Sequence, residues 1–353
     1  VRKQVIEEAA VIGATLSMTY MSTDLQAQQY DALFIDEISM APLLPMFFAM
    51  GLVSSSCTLI GDFLQLPPIG TQSKNELLKK WHNRSFFDII GMNSVGKARS
   101  SEFVKPLSIQ YRMNPAIAAI PNKLFYGDIL QSGDNTKTRV LSDQWVQDQP
   151  LFLVDTSEGA PWMNRGPNGQ SRCNLYHATL AAAMAQDYLA NETQDGKEIT
   201  VGVVVPYRSQ KDLINDILDE SLGKNSPARK RIEVNTVHSF QGGEKDVIIC
   251  DSVESEGKDA KWFFFDDGSR NNHSAPLMLN VAVTRAKSKF ILLANVKFVQ
   301  QNFTGHIFKD MLDILHQHGV TLSVSELGIG FQTTDEENEI KRLSEGVPVE
   351  ELG

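Results

Sequence analysis

The chain is poor in cysteine, and it lacks both long apolar runs and an excess of basic residues. Its three cysteines, Cys57, Cys173 and Cys250, form no C-x-x-C pair. That pattern argues against a zinc site or a disulfide framework and suits a reducing, intracellular compartment. Cys57 and Cys250 lie in apolar runs, which predicts buried thiols. No run approaches the length that spans a bilayer, so we expect no membrane partner.

Acidic residues outnumber basic residues by 43 to 33, so the formal net charge of the 353-residue chain is −10. A chain with this balance is not a nucleic-acid coat over its whole surface, and any nucleic-acid contact must be a local groove. The apolar share of 42% is typical of a globular protein, and the length suffices for about two domains with their own cores.

Apolar runs of strand length recur along the chain, and helical patterns separate several of them. This alternation predicts an α/β fold with mostly parallel sheets. The predicted strands are 32–35, 57–60, 151–154, 200–205, 232–234, 247–250 and 290–294. The predicted helices are 178–189, 209–222 and 304–318. We expect a first domain over residues 1–103, a second over 104–330 and an acidic tail over 331–353.

The most informative segment is the apolar run 32–35, because it ends in two adjacent carboxylates, Asp36 and Glu37. In parallel α/β sheets, ligands bind just beyond the carboxyl ends of the strands. An acid there can hold Mg²⁺, and a second acid beside it can polarise water, as the hydrolysis of a nucleoside triphosphate requires. The same dipeptide also occurs in ordinary solvated turns.

A second polar segment follows the next predicted strand, where residues 61–68 read Gly-Asp-Phe-Leu-Gln-Leu-Pro-Pro. Glycine permits close backbone approach and the two prolines stop any helix. Gln65 would then be a neutral hydrogen-bonding group near Asp36, able to sense a γ-phosphate or to orient water. The alternative is a turn with a solvated glutamine.

Three further motifs lie in the second half of the chain. Residues 110–113 read Gln-Tyr-Arg-Met, in which Arg112 can fork a phosphate and Tyr111 offers a flat face to a base. Residues 236–244 combine hydroxyls and glycines that suit a phosphodiester backbone or a nucleotide. Residues 283–287 read Val-Thr-Arg-Ala-Lys in a predicted helical segment, and Arg285 is a candidate arginine finger. Taken singly, either arginine could be an ordinary surface residue.

In this order, the five motifs resemble those of superfamily 1 helicases. The likeness is closest to the 5′-to-3′ branch that includes the nonsense-mediated mRNA decay helicase and its DNA-replication relatives, and it covers residues from about 9 to 296. It implies tandem RecA-like domains with an incomplete first domain, ATP and magnesium (Mg²⁺) as cofactors, and single-stranded DNA or RNA as partner. It also implies 5′-to-3′ movement driven by ATP hydrolysis between the two domains.

The resemblance assigns roles to the residues of the first domain and to the nucleic-acid contacts. Asp36 is the Mg²⁺-associated carboxylate, Glu37 activates water and Gln65 senses the γ-phosphate. The residues implied to touch the nucleic-acid strand are Thr15, Pro206, Thr236 and Ser239.

In the second domain, the resemblance assigns nucleotide contacts. Tyr111 stacks on adenine, and Glu244 contacts the ribose with Gly242 beside it. Arg112 and Arg285 reach the γ-phosphate.

The largest departure from the family is the phosphate loop, G-x-x-x-x-G-K-[ST]. Residues 91–97 fit its spacing, but Ala98 stands where a hydroxyl is required, and the segment follows the Asp-Glu strand instead of preceding it. We therefore expect the loop on an N-terminal portion or on a separate chain, and poor ATP hydrolysis by this chain alone. The alternatives are a non-catalytic helicase-like module that binds nucleic acid or a partner protein, and a motor fused to a nuclease or other effector.

Overall fold

The computed structural model describes residues 2–68, 75–82, 84–141, 144–145, 148–159, 161–166, 171–189, 196–240, 242–257 and 274–329. It divides into two compact units, Val1–Pro106 and Leu107–Gly353. Each contains a parallel sheet with helices, so the predicted α/β class is confirmed. The predicted acidic tail over 331–353 lies outside the described residues. No helix in the described ranges is long and apolar enough to cross a membrane.

The first unit contains two strands and seven short helices among its described residues. The strands are β1 (Tyr30–Ile35) and β2 (Val53–Leu59). The helices are α1 (Arg2–Glu8), α2 (Leu16–Met21), α3 (Thr23–Gln26), α4 (Leu43–Met50), α5 (Glu76–His82), α6 (Phe86–Ile89) and α7 (Val95–Ser100).

The core of the first unit is small. Strands β1 and β2 pair in parallel, and Ile35 packs with Met46 of α4 and with Phe87. Phe34, which points away from that core, is 69% exposed. The prediction that Cys57 is buried is wrong, because Cys57 is exposed on β2. A strand is buried only where neighbouring strands and helices cover it, and a two-stranded sheet supplies little cover.

The second unit contains eleven strands and eight α-helices among its described residues. The strands are β3 (Ile109–Gln110), β4 (Gln131–Ser132), β5 (Leu151–Asp155), β6 (Trp162–Arg165), β7 (Arg172–Cys173), β8 (Val201–Val205), β9 (Ile232–Thr236), β10 (Lys245–Asp251), β11 (Glu256–Gly257), β12 (Ala286–Ala294) and β13 (Val320–Ser323). The helices are α8 (Pro115–Pro121), α9 (Leu175–Tyr188), α10 (Arg208–Leu222), α11 (Pro227–Lys230), α12 (Ser274–Val283), α13 (Val296–Asn302), α14 (Ile307–His318) and α15 (Val324–Leu327). A π-helical turn spans Asn122–Tyr126, and 3₁₀ turns span Asp134–Thr136 and Ser157–Gly159.

A six-stranded parallel sheet with the order β13-β5-β12-β10-β8-β9 organises the second unit. Its central strands are buried along their length, which is why the sequence shows them as continuous apolar runs. Helices α9 and α10 pack on one face through side chains such as Ala181 and Ile214. Cys250 is buried as predicted, and burial raises the pKa of its thiol to about 12.

The predicted helical segment at 283–287 is wrong. Helix α12 ends at Val283 and β12 begins at Ala286, so Arg285 lies in the turn between them. The reason is backbone pairing: Lys245 N–H donates to the carbonyl of Arg285 at 3.0 Å, and Ala286 aligns with Lys245 of β10. Pairing with β10 therefore makes β12 begin at Ala286, four residues before the apolar run 290–294 that predicted the strand.

Candidate functional site

In the first unit, the two acidic residues lie at the carboxyl end of β1, as predicted. Asp36 is exposed and Glu37 is half-buried. Glu37 has a φ of 54°, which is uncommon for a residue with a side chain, and its N–H donates to Asp36 Oδ1 at 2.9 Å. Backbone strain of this kind clusters at functional sites, because the surrounding structure must hold it in place.

The loop that carries Gln65 lies at the same edge of the sheet. The Ile60 N–H donates to the Ile35 carbonyl at 2.8 Å, and the Ile38 N–H donates to the Ile60 carbonyl at 3.0 Å. A Cβ on Gly61 would lie 2.8 Å from Ile38 Cγ1 and 3.0 Å from Ile38 N. Glycine is therefore needed at position 61 for the two loops to meet.

An aspartate organises the Gln65 loop. Asp62 Oδ1 accepts from the Leu64 N–H at 2.9 Å, and Asp62 Oδ2 accepts from Gln65 Nε2 at 3.2 Å. The amide nitrogen of Gln65 thus points back to its own turn, which fixes the orientation of the half-buried side chain. Sequence reasoning assigned no role to Asp62, although aspartate side chains in turns commonly accept a hydrogen bond from the backbone N–H two residues later.

Thr15 has a structural role in the first unit. It caps the first turn of α2, and its Oγ1 accepts from the Met18 N–H at 3.4 Å. The residue is exposed, so the hydroxyl also faces solvent.

In the second unit, a charged cluster forms at the amino ends of β10 and β12. Arg112 Nε donates to Glu244 Oε2 at 2.9 Å, and Arg112 Nη1 donates to the Thr284 carbonyl at 3.1 Å. The Arg112 and Glu244 side chains are 35% and 48% exposed. Segments 132 and 172 residues apart in the chain therefore meet at this edge.

Arg285 belongs to the same cluster but is only 1% exposed. Its Nη1 donates to the Gly243 carbonyl at 3.3 Å and its Nε donates to the Val281 carbonyl at 3.2 Å. Its Nη2 donates to Thr284 Oγ1 at 3.2 Å. The guanidinium is thus held by the protein itself, next to the segment that carries Glu244.

Gln110 shapes the turn that presents Tyr111 and Arg112, a role that sequence reasoning did not assign. Its Oε1 accepts from the N–H groups of Arg112 and Met113 at 2.9 and 2.8 Å. Tyr111 is 59% exposed and lies against Gly133, where a Cβ would overlap its ring. The aromatic face is therefore both accessible and braced from behind.

The predicted nucleic-acid contacts of the second unit lie at the opposite edge of the sheet. Pro206 follows β8 and Thr236 ends β9, and the Val237 N–H donates to the Val205 carbonyl at 3.2 Å. The Ser239 N–H donates to the Thr236 carbonyl at 2.9 Å, and Ser239 is exposed.

Residues 237–240 follow the carboxyl end of β9, and Glu244 directly precedes the amino end of β10. Gly242 is exposed with a φ of 85°, a left-handed conformation that favours glycine. Gln241 lies outside the described residues. The structure thus separates the predicted nucleotide contacts of the second unit from its predicted nucleic-acid contacts.

Comparisons with known proteins agree with the motif pattern. Two family models, each described as an AAA domain, match residues 83–297 and residues 1–73. Helicase sen1 of Schizosaccharomyces pombe is 30% identical over 315 residues, covering 88% of this chain and 17% of sen1. ATP-dependent helicase upf1 of the same organism is 26% identical over 311 residues, covering 84% of this chain and 31% of upf1.

A third relative, the DNA replication ATP-dependent helicase/nuclease dna2 of Schizosaccharomyces pombe, is 25% identical over 363 residues. That match covers 97% of this chain and 24% of dna2. The chain spans between 17% and 41% of the length of relatives such as these. Among solved structures, the PRRSV helicase has a TM-score of 0.33 at 14% identity, covering 76% of this chain and 36% of that one.

Proposed function

The chain belongs to this AAA-domain family and to the superfamily 1 helicases, in the branch that includes upf1, and we propose that it is part of an ATP-driven motor that moves along single-stranded DNA or RNA. The direction we propose is 5′-to-3′. The observation that carries the proposal is the cluster of Arg112, Glu244 and Arg285, which three distant segments bring to one sheet edge.

In this proposal, the first unit supplies the hydrolytic groups. Asp36 would hold the magnesium ion, because it presents one exposed carboxylate at a strand end. Magnesium sites of this kind use one or two carboxylates and take their other ligands from water and phosphate oxygens. The ion would neutralise charge on the phosphates. Glu37 would accept the proton of the attacking water, and Gln65, fixed by Asp62, would orient that water or the γ-phosphate.

The second unit would recognise the nucleotide. Tyr111 would stack on adenine, Glu244 would accept hydrogen bonds from the ribose beside Gly242, and Arg112 would turn to the γ-phosphate. This exchange requires the Arg112–Glu244 pair to open. Both side chains are substantially exposed, so the pair contributes about 1 kcal/mol or less and opens at low cost.

Arg285 requires a larger change to act on phosphate, because its donors are held by carbonyls of Gly243 and Val281. We propose that it orients residues 243–244 in the nucleotide-free protein and swings to the γ-phosphate when ATP is bound. Thr15, Pro206, Thr236 and Ser239 would follow the strand backbone, since hydroxyls and exposed loop backbone suit phosphate contacts.

We further propose that an N-terminal portion or a separate chain supplies the phosphate loop. Parallel sheets are normally covered on both faces. In the first unit, Phe34, Leu44 and Phe47 are 69%, 64% and 48% exposed, and Cys57 is exposed on β2. Phe34 and Cys57 lie on opposite faces of the β1–β2 sheet, and further strands and helices would cover both faces and complete the fold.

Alkylation of Cys57 tests the phosphate-loop proposal. Iodoacetamide should label Cys57 rapidly in this chain alone and slowly in the protein that carries the loop. Cys250, which is buried and has a raised pKa, is the internal control and should remain unlabelled in both. Equal labelling of Cys57 in the two proteins would contradict the proposed covering.

The second candidate is a non-catalytic helicase-like module. The observation that favours it is that Arg112 and Arg285 both donate hydrogen bonds to oxygens of the protein itself. The two guanidinium groups therefore have hydrogen-bond acceptors without a bound nucleotide. A fused effector finds no support in the described residues.

ATP turnover by the protein that carries the phosphate loop separates the two candidates. We expect single-stranded DNA or RNA to stimulate turnover, and Arg112→Ala to reduce the stimulated rate at least about 1000-fold, as for other arginines that stabilise phosphoryl transfer. Arg229→Gln is the control, because it removes an Arg229–Asp219 ion pair at 2.6 Å, away from the cluster. Absence of stimulated turnover in the parent protein would exclude the motor mechanism, and unchanged turnover in Arg112→Ala would exclude the proposed role of Arg112.

A further inference from the structure

A buried polar network lies at the carboxyl edge of the six-stranded sheet. His177 Nδ1 lies 2.8 Å from Asp251 Oδ1, and His177 Nε2 lies 2.9 Å from Thr156 Oγ1. Gln210 Nε2 donates to Asp251 Oδ2 at 2.7 Å. All four residues have no exposed surface. The network joins the end of β5, the end of β10 and the first turns of α9 and α10.

The order hydroxyl, imidazole, carboxylate is that of a hydrolytic triad, but burial excludes that role. A nucleophile must reach the atom it attacks, and neither Thr156 nor His177 is accessible. The Asp251 carboxylate accepts bonds from His177, from Gln210 and from the Val253 N–H at 2.8 Å. A carboxylate only accepts, so His177 Nδ1 is the donor in this pair, and three donors face the buried Asp251 side chain.

The network ties two helix ends together. Gln210 Nε2 also donates to the Asn174 carbonyl at 3.0 Å, and Gln210 Oε1 accepts from the Asn174 N–H at 2.7 Å. Asn174 caps α9, and Gln210 lies in the first turn of α10. The turn between β8 and α10, which begins with Pro206, therefore cannot shift without breaking these bonds.

The network also holds a strained backbone. Val253 has a φ of 62°, which β-branched residues rarely adopt. Its N–H is bound by Asp251 Oδ1, and its carbonyl accepts from Asn174 Nδ2 at 3.2 Å. Such a conformation persists only where neighbouring groups over-determine it, and it is found mainly at functional sites.

We propose that His177 is a positioning residue for nucleic-acid binding. Through Asp251 it holds the β8–α10 turn and the segment 251–254 in the geometry that grips the strand backbone. This inference rests on the proposed function, because it requires the carboxyl edge to be the strand-binding edge.

Two substitutions of His177 test the role of the Asp251 contact. Asparagine places its amide nitrogen near the position of Nδ1, whereas glutamine places it near Nε2. His177→Asn should keep the contact with Asp251 and bind a fluorescein-labelled oligothymidine or oligouridine within about twofold of the parent chain. His177→Gln should lose that contact and weaken binding about tenfold, which corresponds to ~1.4 kcal/mol.

The experiment uses the full chain, with melting temperature and fluorescence anisotropy measured on each variant. Arg229→Gln is the matched control, because it breaks an ion pair to Asp219 at the other end of α10. It should lower the melting temperature and leave the dissociation constant unchanged. If His177→Gln does not fold, Gln210→Met removes a second Asp251 contact together with both bonds to Asn174 and should weaken binding at least about tenfold.

The outcomes separate the two proposals. Parent-like binding by His177→Gln, or equal weakening in the asparagine and glutamine variants, overturns the positioning role and leaves nucleic-acid binding intact. Absence of binding by the parent chain to both oligonucleotides overturns the nucleic-acid assignment, and the positioning role with it.

Discussion

Replacing Glu244 with alanine should weaken nucleotide binding while leaving the fold almost unchanged. Glu244 pairs with Arg112 at 2.9 Å, and the two side chains are 48% and 35% exposed. Exposed pairs of this kind contribute about 0.2–1 kcal/mol to stability, since water and salt screen them. We therefore expect the free energy of unfolding to fall by no more than about 1 kcal/mol.

The expected effect on ATP is larger. If Glu244 accepts from the ribose hydroxyls, its loss removes hydrogen bonds to a charged acceptor, each worth about 1.5–3 kcal/mol. One such bond corresponds to a rise in KM of about 10- to 150-fold. The parent protein should discriminate against 2′-deoxyATP, and Glu244→Ala should lose that discrimination because the acceptor is gone.

Steady-state turnover of ATP and 2′-deoxyATP by the protein that carries the phosphate loop measures both effects. Glu233→Ala is the matched control, since Glu233 pairs with Lys245 at 2.8 Å and its side chain is 40% exposed. A parent-like KM in Glu244→Ala would refute the ribose role. A loss of more than about 3 kcal/mol of stability would show that the pair acts as a buried structural bridge.

Two other predictions concern stability. Gly61→Ala should lower the free energy of unfolding by about 1–3 kcal/mol, because its Cβ would lie 2.8 Å from Ile38 Cγ1. Gly13→Ala meets nothing within 4 Å and should be neutral or slightly stabilising. Urea unfolding compares the two variants, and equal midpoints would contradict the steric argument. Burial alone would raise the pKa of Asp246, but hydrogen bonds from Lys287 and Thr200 and the charge of Lys287 outweigh it and lower the pKa below 3.8. A carboxyl group whose pKa is lowered on folding stabilises the protein at pH values above the unfolded pKa of 3.8, and this stability is lost as the pH falls through the folded pKa. Asp246→Asn should therefore flatten the acid limb of a plot of melting temperature against pH. An acid limb parallel to that of the parent chain would contradict this prediction.

The sheet of the second unit was predictable because its strands are buried on both faces. Runs such as 151–154 and 247–250 are continuous apolar segments, and the structure places them in β5 and β10. The strand at 57–60 was also predicted, but the burial of Cys57 was not correct. Hydrophobicity indicates that a residue can be buried, whereas burial depends on what covers it.

The pairing of Arg112 with Glu244 could not be predicted from either motif alone. The two residues are 132 positions apart, and each has several chemically reasonable partners. Their meeting follows from the β10–β12 pairing and from the turn that Gln110 organises. The His177 network was missed for a different reason, since its residues come from distant segments that no single motif joins.

Arg285 shows why the loss of activity in one variant does not identify a contact with phosphate. Its guanidinium bonds to the carbonyls of Val281 and Gly243, so alanine there would remove support for the turn before β12 and for residues 243–244. Activity would fall whether or not the arginine touches ATP. Lysine keeps the charge but cannot reproduce three bonds from a planar fork. If Arg285→Lys loses turnover but keeps most of its free energy of unfolding, the lost groups act in the reaction. If turnover and the free energy of unfolding fall together, the guanidinium is a structural clamp.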